Sequence, residues 1–121
     1  MNANRRRLVL FDIDGTLLTD NGAARDAYGH ALREVYGYDG DLKSFDFSGR
    51  TDPQITHMVL GSAGLPRPAI EERIPALWDL YLSGLAETAI GRVSELPGIR
   101  TLLQALRADS QITLALLTGN L

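Results

Sequence analysis

The 121-residue sequence predicts an α/β fold in which a small parallel sheet is interrupted by an inserted helical block. Two apolar, β-rich runs lie at opposite ends of the chain, at residues 8–13 and 112–118, and each leads into polar residues and a glycine. Between them, apolar residues recur at helical spacing. A right-handed crossover lays two such strands side by side in parallel. We therefore expect both carboxyl ends at one sheet edge, where open α/β sheets bind ligands.

The first run, "LVLFDI" at residues 8–13, is short, continuous and apolar, and a glycine turn follows it. This pattern predicts a strand that is buried on both faces, as in a parallel sheet. The stretch "GAARDAYGHALREVYG" has one apolar face at helical spacing, and Gly37 is a suitable helix end. Residues 38–52 are rich in Gly, Asp and Ser, which predicts a loop.

Three further helical segments follow the loop. The first is predicted to begin at Pro53, with Asp52 as its cap. The second is an apolar stripe over residues 69–89, in which Pro75 is expected to start or kink a helix. The third is an amphipathic segment at 99–106, which leads into the second strand-like run.

Composition narrows the classes of function. The formal net charge is -3, so neither a nucleic acid nor an anionic membrane is expected as a partner. No run approaches the roughly 20 apolar residues of a membrane span, and only four apolar residues follow the N-terminal arginines, too few for a signal peptide. The absence of cysteine excludes disulfides, thiolate zinc sites and a cysteine nucleophile. We expect a cytoplasmic location.

Two aspartates follow the first apolar run in "FDIDGT". Asp12 and Asp14 are two residues apart, so in an extended segment their side chains point the same way. Two carboxylates held together in an apolar setting are costly unless a cation offsets their charge. Oxygen ligands favour Mg²⁺, and Gly15 lets the backbone turn tightly beside them. The motif therefore predicts a magnesium site at Asp12 and Asp14.

The acid pair has other interpretations. Asp and Gly are common in strand-end turns and helix caps, so a purely structural turn is one alternative. An EF-hand loop requires glycine at its sixth position, and counting from Asp12 that position is Leu17. A glycosyltransferase-like acid pair that holds a nucleotide-sugar metal stays open.

The motifs strongly resemble those of the haloacid dehalogenase-like (HAD) hydrolase superfamily. "FDIDGTLL" resembles its first motif and "LLTGN" its second, at the spacing of the subgroup with a helical cap after the first motif. "GRTDPQI" is similar to cap sequences of phosphoglycolate phosphatase-like and β-phosphoglucomutase-like members, and "LPGIRTLLQAL" to the segment that re-enters the core. The resemblance implies an incomplete Rossmann-like core at residues 1–18 and 93–121, with a helical cap at 19–92.

The resemblance also implies a phosphatase that acts on small phosphorylated metabolites through an aspartyl-phosphate. Asp12 is the implied nucleophile, and Asp14 the general acid and then base. Mg²⁺ is the implied cofactor, bound by the Asp12 carboxylate and the Asp14 backbone carbonyl.

Four more site residues are implied in the same way. Thr118 and Gly119 would hold phosphoryl oxygens, with Asn120 at the rim of the site. Taken alone, Thr118 and Gly119 also fit an ordinary turn after a strand. Arg50 would reach a substrate anion from the cap. It also fits a solvated loop charge, or a partner for an aspartate near it in the sequence.

The sequence departs from the family pattern after the second motif. The lysine motif and the later acids of the metal site are missing, because the chain stops at Leu121. We expect an N-terminal part of a longer protein. Two alternatives follow: a non-catalytic fragment that binds Mg²⁺ or phosphate weakly or self-associates through its open sheet, and a phosphomutase of the same family. Substrate identity and oligomeric state stay open.

Overall fold

The two ends of the chain meet in a two-stranded parallel sheet. In the computed structural model, which describes residues 5–120, strand β1 (Arg7–Phe11) pairs in parallel with β4 (Ile112–Leu116). Phe11 lies opposite Leu116 in this register. The predicted parallel pairing of the two apolar runs is confirmed, although the second strand ends two residues earlier than expected.

Helices and two very short strands lie between β1 and β4. The helices described are α1 (Ala23–Tyr36), α2 (Asp52–Ser62), α3 (Arg67–Thr88) and α4 (Ile99–Arg107), with a single 3-10 turn at Leu42–Ser44. Strands β2 (Leu18–Thr19) and β3 (Ser94–Glu95) pair antiparallel. Sequence periodicity missed this pair, because two residues are too few to show an alternation. None of the described helices is both long and apolar enough to cross a membrane.

The chain divides into two compact units. Within the described part, residues 5–21 and 93–118 form the sheet unit, and residues 22–92 with 119–120 form the helical unit. The sheet unit holds both pairs of strands and α4, and the helical unit holds α1, α2 and α3. The functional division into a core and a cap stays a prediction.

Within its own unit, the described residues cover only one face of the parallel sheet. Helix α4 packs against β4, and Phe11 and Ile99 are buried. Leu8 and Leu10 alternate with Phe11 along β1, and they are 62% and 49% exposed. The prediction that this strand is buried on both faces was therefore wrong. The apolar run reflects a strand with two apolar faces, of which α4 covers one.

The helical unit has its own apolar core. Helix α1 packs along α3, and the largest fully buried apolar side chains are Leu32, Leu60, Ile70, Leu77 and Val59. The apolar face predicted for α1 is confirmed, since Tyr28, Ala31 and Leu32 are buried. Gly37 ends the helix as predicted, in the left-handed conformation (φ 68°), and its N–H donates to the Arg33 carbonyl.

The predicted cap of α2 was wrong. Thr51, not Asp52, caps α2: its hydroxyl accepts from the Gln54 N–H, and the Gln54 side chain accepts from the Thr51 N–H. This reciprocal arrangement satisfies two backbone donors at once. Helix α3 (Arg67–Thr88) covers the predicted apolar stripe and continues through Pro75, so this proline does not start a helix. The alternative expectation of a kink at Pro75 stays a prediction.

Candidate active site

The two aspartates lie in a tight turn that follows β1. The strand ends at Phe11, and the backbone N–H of Ile13 donates to Asp12 Oδ1 at 2.8 Å. The carbonyl oxygen of Ile13 then accepts from the N–H groups of Thr16 and Leu17, at 3.2 and 2.9 Å. The expectation that both acids share an extended segment was wrong, because the chain turns directly after Asp12.

Gly15 permits this turn. Its φ of 73° lies in the left-handed region, where a side chain is unfavourable, and its N–H donates to the Leu18 carbonyl at 2.9 Å. Asp14 forms an isolated bridge with Leu18 on the far side of the same turn. The Asp-Gly-Thr sequence thus closes a compact loop at the end of β1, as the turn chemistry of the motif predicts.

Asp12 and Asp14 are both exposed to solvent in the structure. The expectation of an apolar setting was wrong, since the acids follow the strand instead of lying within it. Water screens their mutual repulsion, so folding of the turn does not itself require a cation. The carboxylates are accessible to a ligand that approaches this end of the sheet.

Thr118 lies at the same end of the sheet as Asp12. The N–H of Leu117 donates to the Phe11 carbonyl at 2.8 Å, which continues the parallel ladder one step beyond β4. Asp12 directly follows Phe11, and Thr118 directly follows Leu117. Because neighbouring parallel strands end at one edge, the sheet unit brings the acid turn and Thr118 together there. Thr118 is exposed, as the two acids are.

Gly119 and Asn120 group with the helical unit. The Gly119 carbonyl accepts a hydrogen bond from the Asp52 N–H at 3.3 Å, at the start of α2. A Cβ atom at Gly119 would lie 2.9 Å from the Arg50 carbonyl oxygen, closer than real Cβ contacts. The glycine therefore allows a close approach of two backbones. Its predicted contact with a phosphoryl group stays a prediction, as does the rim position of Asn120.

Arg50 is exposed and lies on a turn of the helical unit. Its backbone N–H donates to the Phe47 carbonyl and its Nε to the Asp46 carbonyl, each at 3.2 Å. The alternative interpretation, a local partner for Asp46, thus has a contact in the structure. The backbone N–H and hydroxyl of Ser48 hold the pKa of Asp46 below its ordinary value, with a smaller contribution from the Arg50 charge.

The donor set fits magnesium. Among residues 5–120, no three His, Asp or Glu side chains lie together in a way that would hold a metal ion. Mg²⁺ does not need such a cluster, because it is commonly bound by one or two carboxylates together with substrate phosphate and water. The exposed Asp12 carboxylate and the backbone carbonyl of Asp14 in the same turn are oxygen donors of the kind that Mg²⁺ prefers.

A strand-end acid turn in a parallel sheet, followed by a helical insert, is the architecture that the sequence resemblance implies. No protein-family model and no curated protein matches the sequence. Solved structures do match the fold. A predicted phosphoglycolate phosphatase from Haemophilus somnus 129PT superposes with a TM-score of 0.66 at 16% identity, over 100% of this chain and 54% of that one.

Two further structures agree. A haloacid dehalogenase-like hydrolase from Streptococcus pneumoniae matches with a TM-score of 0.61 at 22% identity, over 95% of this chain and 50% of that one. A candidate phosphatase from Clostridium difficile matches with a TM-score of 0.56 at 19% identity, over 94% of this chain and 49% of that one. The chain thus has a HAD-like fold, as the resemblance implied, and it spans about half the length of these structures.

Proposed function

We propose that this chain carries the nucleophile and the acid–base residue of a phosphatase that hydrolyses small phosphoric monoesters. The observation that supports the proposal most directly is the shared sheet edge: the Asp12 turn follows β1, and Thr118 follows the neighbouring parallel strand β4. The solved structures that share this fold are named as phosphatases or a hydrolase, although the chain covers only about half of each.

In the first step, a carboxylate oxygen of Asp12 attacks the phosphorus atom of the substrate. The bond from phosphorus to the ester oxygen breaks, and the leaving alkoxide takes a proton from Asp14. Asp14 lies two residues along the same turn, so one short loop carries both groups. The phosphoryl group is then held as an acyl phosphate on Asp12.

In the second step, water attacks the phosphorus atom while Asp14, now ionised, accepts its proton. The bond between phosphorus and the Asp12 oxygen breaks, inorganic phosphate leaves, and both aspartates return to their starting forms. This step needs water at the turn, and the exposure of both acids is consistent with that need.

The remaining residues would bind the phosphate. Mg²⁺, held by the Asp12 carboxylate and the Asp14 backbone carbonyl, would offset the negative charge shared by the nucleophile and the phosphoryl group. The Thr118 hydroxyl and the Gly119 N–H would donate to phosphoryl oxygens, with Asn120 beside them. Arg50 would contact the substrate anion, because a guanidinium matches phosphate geometry.

The test is Mg²⁺-dependent release of inorganic phosphate by the full-length protein that contains this chain, from a panel that includes phosphoglycolate and hexose phosphates. We expect turnover that chelation abolishes and that Asp12→Asn removes. Asp39→Asn is the matched control, because Asp39 is an exposed loop aspartate of the helical unit. Turnover that persists in Asp12→Asn would contradict the assigned nucleophile. Acid-quenched mass spectrometry should find the phosphoryl group on Asp12.

Phosphoglycolate or a sugar phosphate is the proposed substrate class. A cytoplasmic location is part of the proposal. A phosphomutase is the near alternative. It would move the phosphoryl group within a sugar phosphate instead of releasing it to water. Phosphorus NMR of the products separates the two reactions.

A second candidate function is favoured by the exposed sheet face. Leu8 and Leu10 form an exposed apolar surface on the sheet unit. Such a surface is more typical of a contact with another polypeptide than of a surface that faces water. This candidate, a non-catalytic fragment, predicts no turnover and a mass that rises with concentration. A monomeric chain that releases phosphate would exclude it.

A further inference from the structure

We propose that Arg25, on α1, is a positioning residue that fixes the Arg50 turn through the ring of Phe47. The inference rests on the proposed function, in which Arg50 contacts the phosphate of the substrate. Arg25 itself makes no contact with substrate in this scheme. It acts through the loop between α1 and α2, and its contacts with Leu42 and Phe47 lie within the helical unit.

Arg25 holds two points of this loop. Its guanidinium carbon lies 4.2 Å from the centroid of the Phe47 ring, which is cation–π geometry. Its Nη1 also donates to the carbonyl oxygen of Leu42. Leu42 is buried in the helical core, so the guanidinium joins the anchored start of the loop to the aromatic ring five residues later.

Phe47 is also held from the core. Its ring meets the ring of Tyr28 edge-on, with centroids 6.3 Å apart and planes at 86°. Tyr28 in turn meets Tyr81 of α3 at 5.5 Å, and both tyrosines are buried. Edge-to-face aromatic pairs favour one relative orientation. The Phe47 ring is therefore fixed between a cation and a buried aromatic side chain.

Arg50 takes its position from the residues around that ring. Its backbone N–H donates to the Phe47 carbonyl, and its Nε donates to the Asp46 carbonyl, each at 3.2 Å. The Asp46 carboxylate accepts from the Ser48 N–H at 2.9 Å, and Gly49 takes the positive φ of 67° that the turn requires. A shift of Phe47 would thus move both the backbone and the side chain of Arg50.

The residue type at position 25 matters for this role. A lysine keeps the charge but lacks the planar group that covers the ring and donates to a carbonyl at the same time. Arg25→Lys should therefore loosen the turn without changing the charge of the loop. Arg33→Lys is the matched control, because Arg33 lies on the same helix and is exposed. Phe47→Leu tests the other partner and keeps an apolar side chain.

The experiment is an NMR titration of the whole chain with inorganic phosphate, followed through the Nε–H signal of Arg50. We expect Arg25→Lys and Phe47→Leu each to raise the Kd for phosphate about three- to tenfold. The Kd of Arg33→Lys should equal that of the wild type. When Arg50 is already replaced by lysine, phosphate binding is followed through the backbone amides of the turn. In that background, Arg25→Lys should not change the Kd further. This non-additivity distinguishes positioning from a general loss of stability, and urea unfolding of each variant checks the fold.

An unchanged Kd in both Arg25→Lys and Phe47→Leu would overturn the inference. So would an equal loss of affinity with and without Arg50, because Arg25 would then act on its own. If Arg25→Lys does not fold, the Kd of Phe47→Leu for phosphate tests the inference instead. A Kd that does not respond to Arg50→Lys would contradict the proposed role of Arg50 and remove the basis of the inference. Turnover that depends on Asp12 is measured separately, so the two failures are distinguishable.

Discussion

The carbonyl oxygen of Gly119 accepts a hydrogen bond from the backbone N–H of Asp52, with an N···O distance of 3.3 Å. Asp52 is the first residue of α2, and its N–H is one of the donors that a helix leaves without an internal partner. Gly119 belongs to the motif that the resemblance assigns to phosphate binding. Within the helical unit it also has a packing role, at a position where a side chain would meet the Arg50 carbonyl.

Gly119→Ala should break this contact. The added Cβ would lie 2.9 Å from the Arg50 carbonyl oxygen, so the two backbones must separate and the hydrogen bond to Asp52 is lost. We expect faster hydrogen exchange of the Asp52 amide and a loss of about 1 kcal/mol in unfolding free energy. Gly61→Ala is the control, since a Cβ at this helical position meets no atom within 4 Å. Unchanged Asp52 exchange in Gly119→Ala would contradict the contact.

Because of Tyr28, the unfolding free energy of the helical unit should change with pH in the alkaline range. Its hydroxyl lies 2.7 Å from Thr56 Oγ1 in the core, and burial raises its pKa well above the ordinary value. The unfolded chain releases this proton near pH 10, at about the ordinary tyrosine pKa. Above that pH the folded state binds more protons than the unfolded state. Unfolding free energy should therefore fall by up to about 1.4 kcal/mol per pH unit until the folded pKa is reached.

Tyr28→Phe should reduce this slope, measured by urea unfolding between pH 9 and pH 11. Some slope should persist, because burial also raises the pKa of Tyr36. Tyr38→Phe is the matched control, since it removes a tyrosine hydroxyl from a half-buried position outside the helices. Equal slopes in the wild type and in Tyr28→Phe would show that the Tyr28 hydroxyl is accessible to solvent.

Thr51→Ala should weaken the start of α2. The substitution removes the hydroxyl that accepts from the Gln54 N–H, and it leaves the reciprocal bond from the Thr51 N–H to the Gln54 side chain. We expect a loss of about 1 kcal/mol in unfolding free energy, the usual effect of removing a threonine cap. Thr101→Ala, at an exposed position of α4, is the control. An unfolding midpoint equal to that of the wild type would rule out the capping box.

The exposed face of β1 should govern self-association. Leu8 and Leu10 lie on the side of the sheet that α4 does not cover, so Leu8→Lys/Leu10→Lys replaces apolar surface with charge that discourages strand pairing. For the non-catalytic alternative, sedimentation velocity should show that the wild type associates with rising concentration and that the double variant stays monomeric. Leu82→Lys, at a leucine of α3 that is 45% exposed, should not change association. A monomeric wild type would contradict the prediction.

Features that depend on a few neighbouring residues were predictable from the sequence. The glycine turn after the first apolar run, the apolar face of α1 and its end at Gly37 all follow from local backbone preferences and from the period of the apolar residues. The parallel pairing of two distant strands was also predictable, because connected parallel strands have few allowed arrangements.

Tertiary structure alone decided which of these surfaces are covered and which side chains meet. An apolar run at β1 looks the same in sequence whether one face or two are packed, and only the position of α4 shows that Leu8 and Leu10 are exposed. The contact of Arg25 with Phe47 joins residues 22 positions apart, and no local pattern marks it. Such contacts depend on how whole helices pack, whereas turns and caps are set by hydrogen bonds within a few residues.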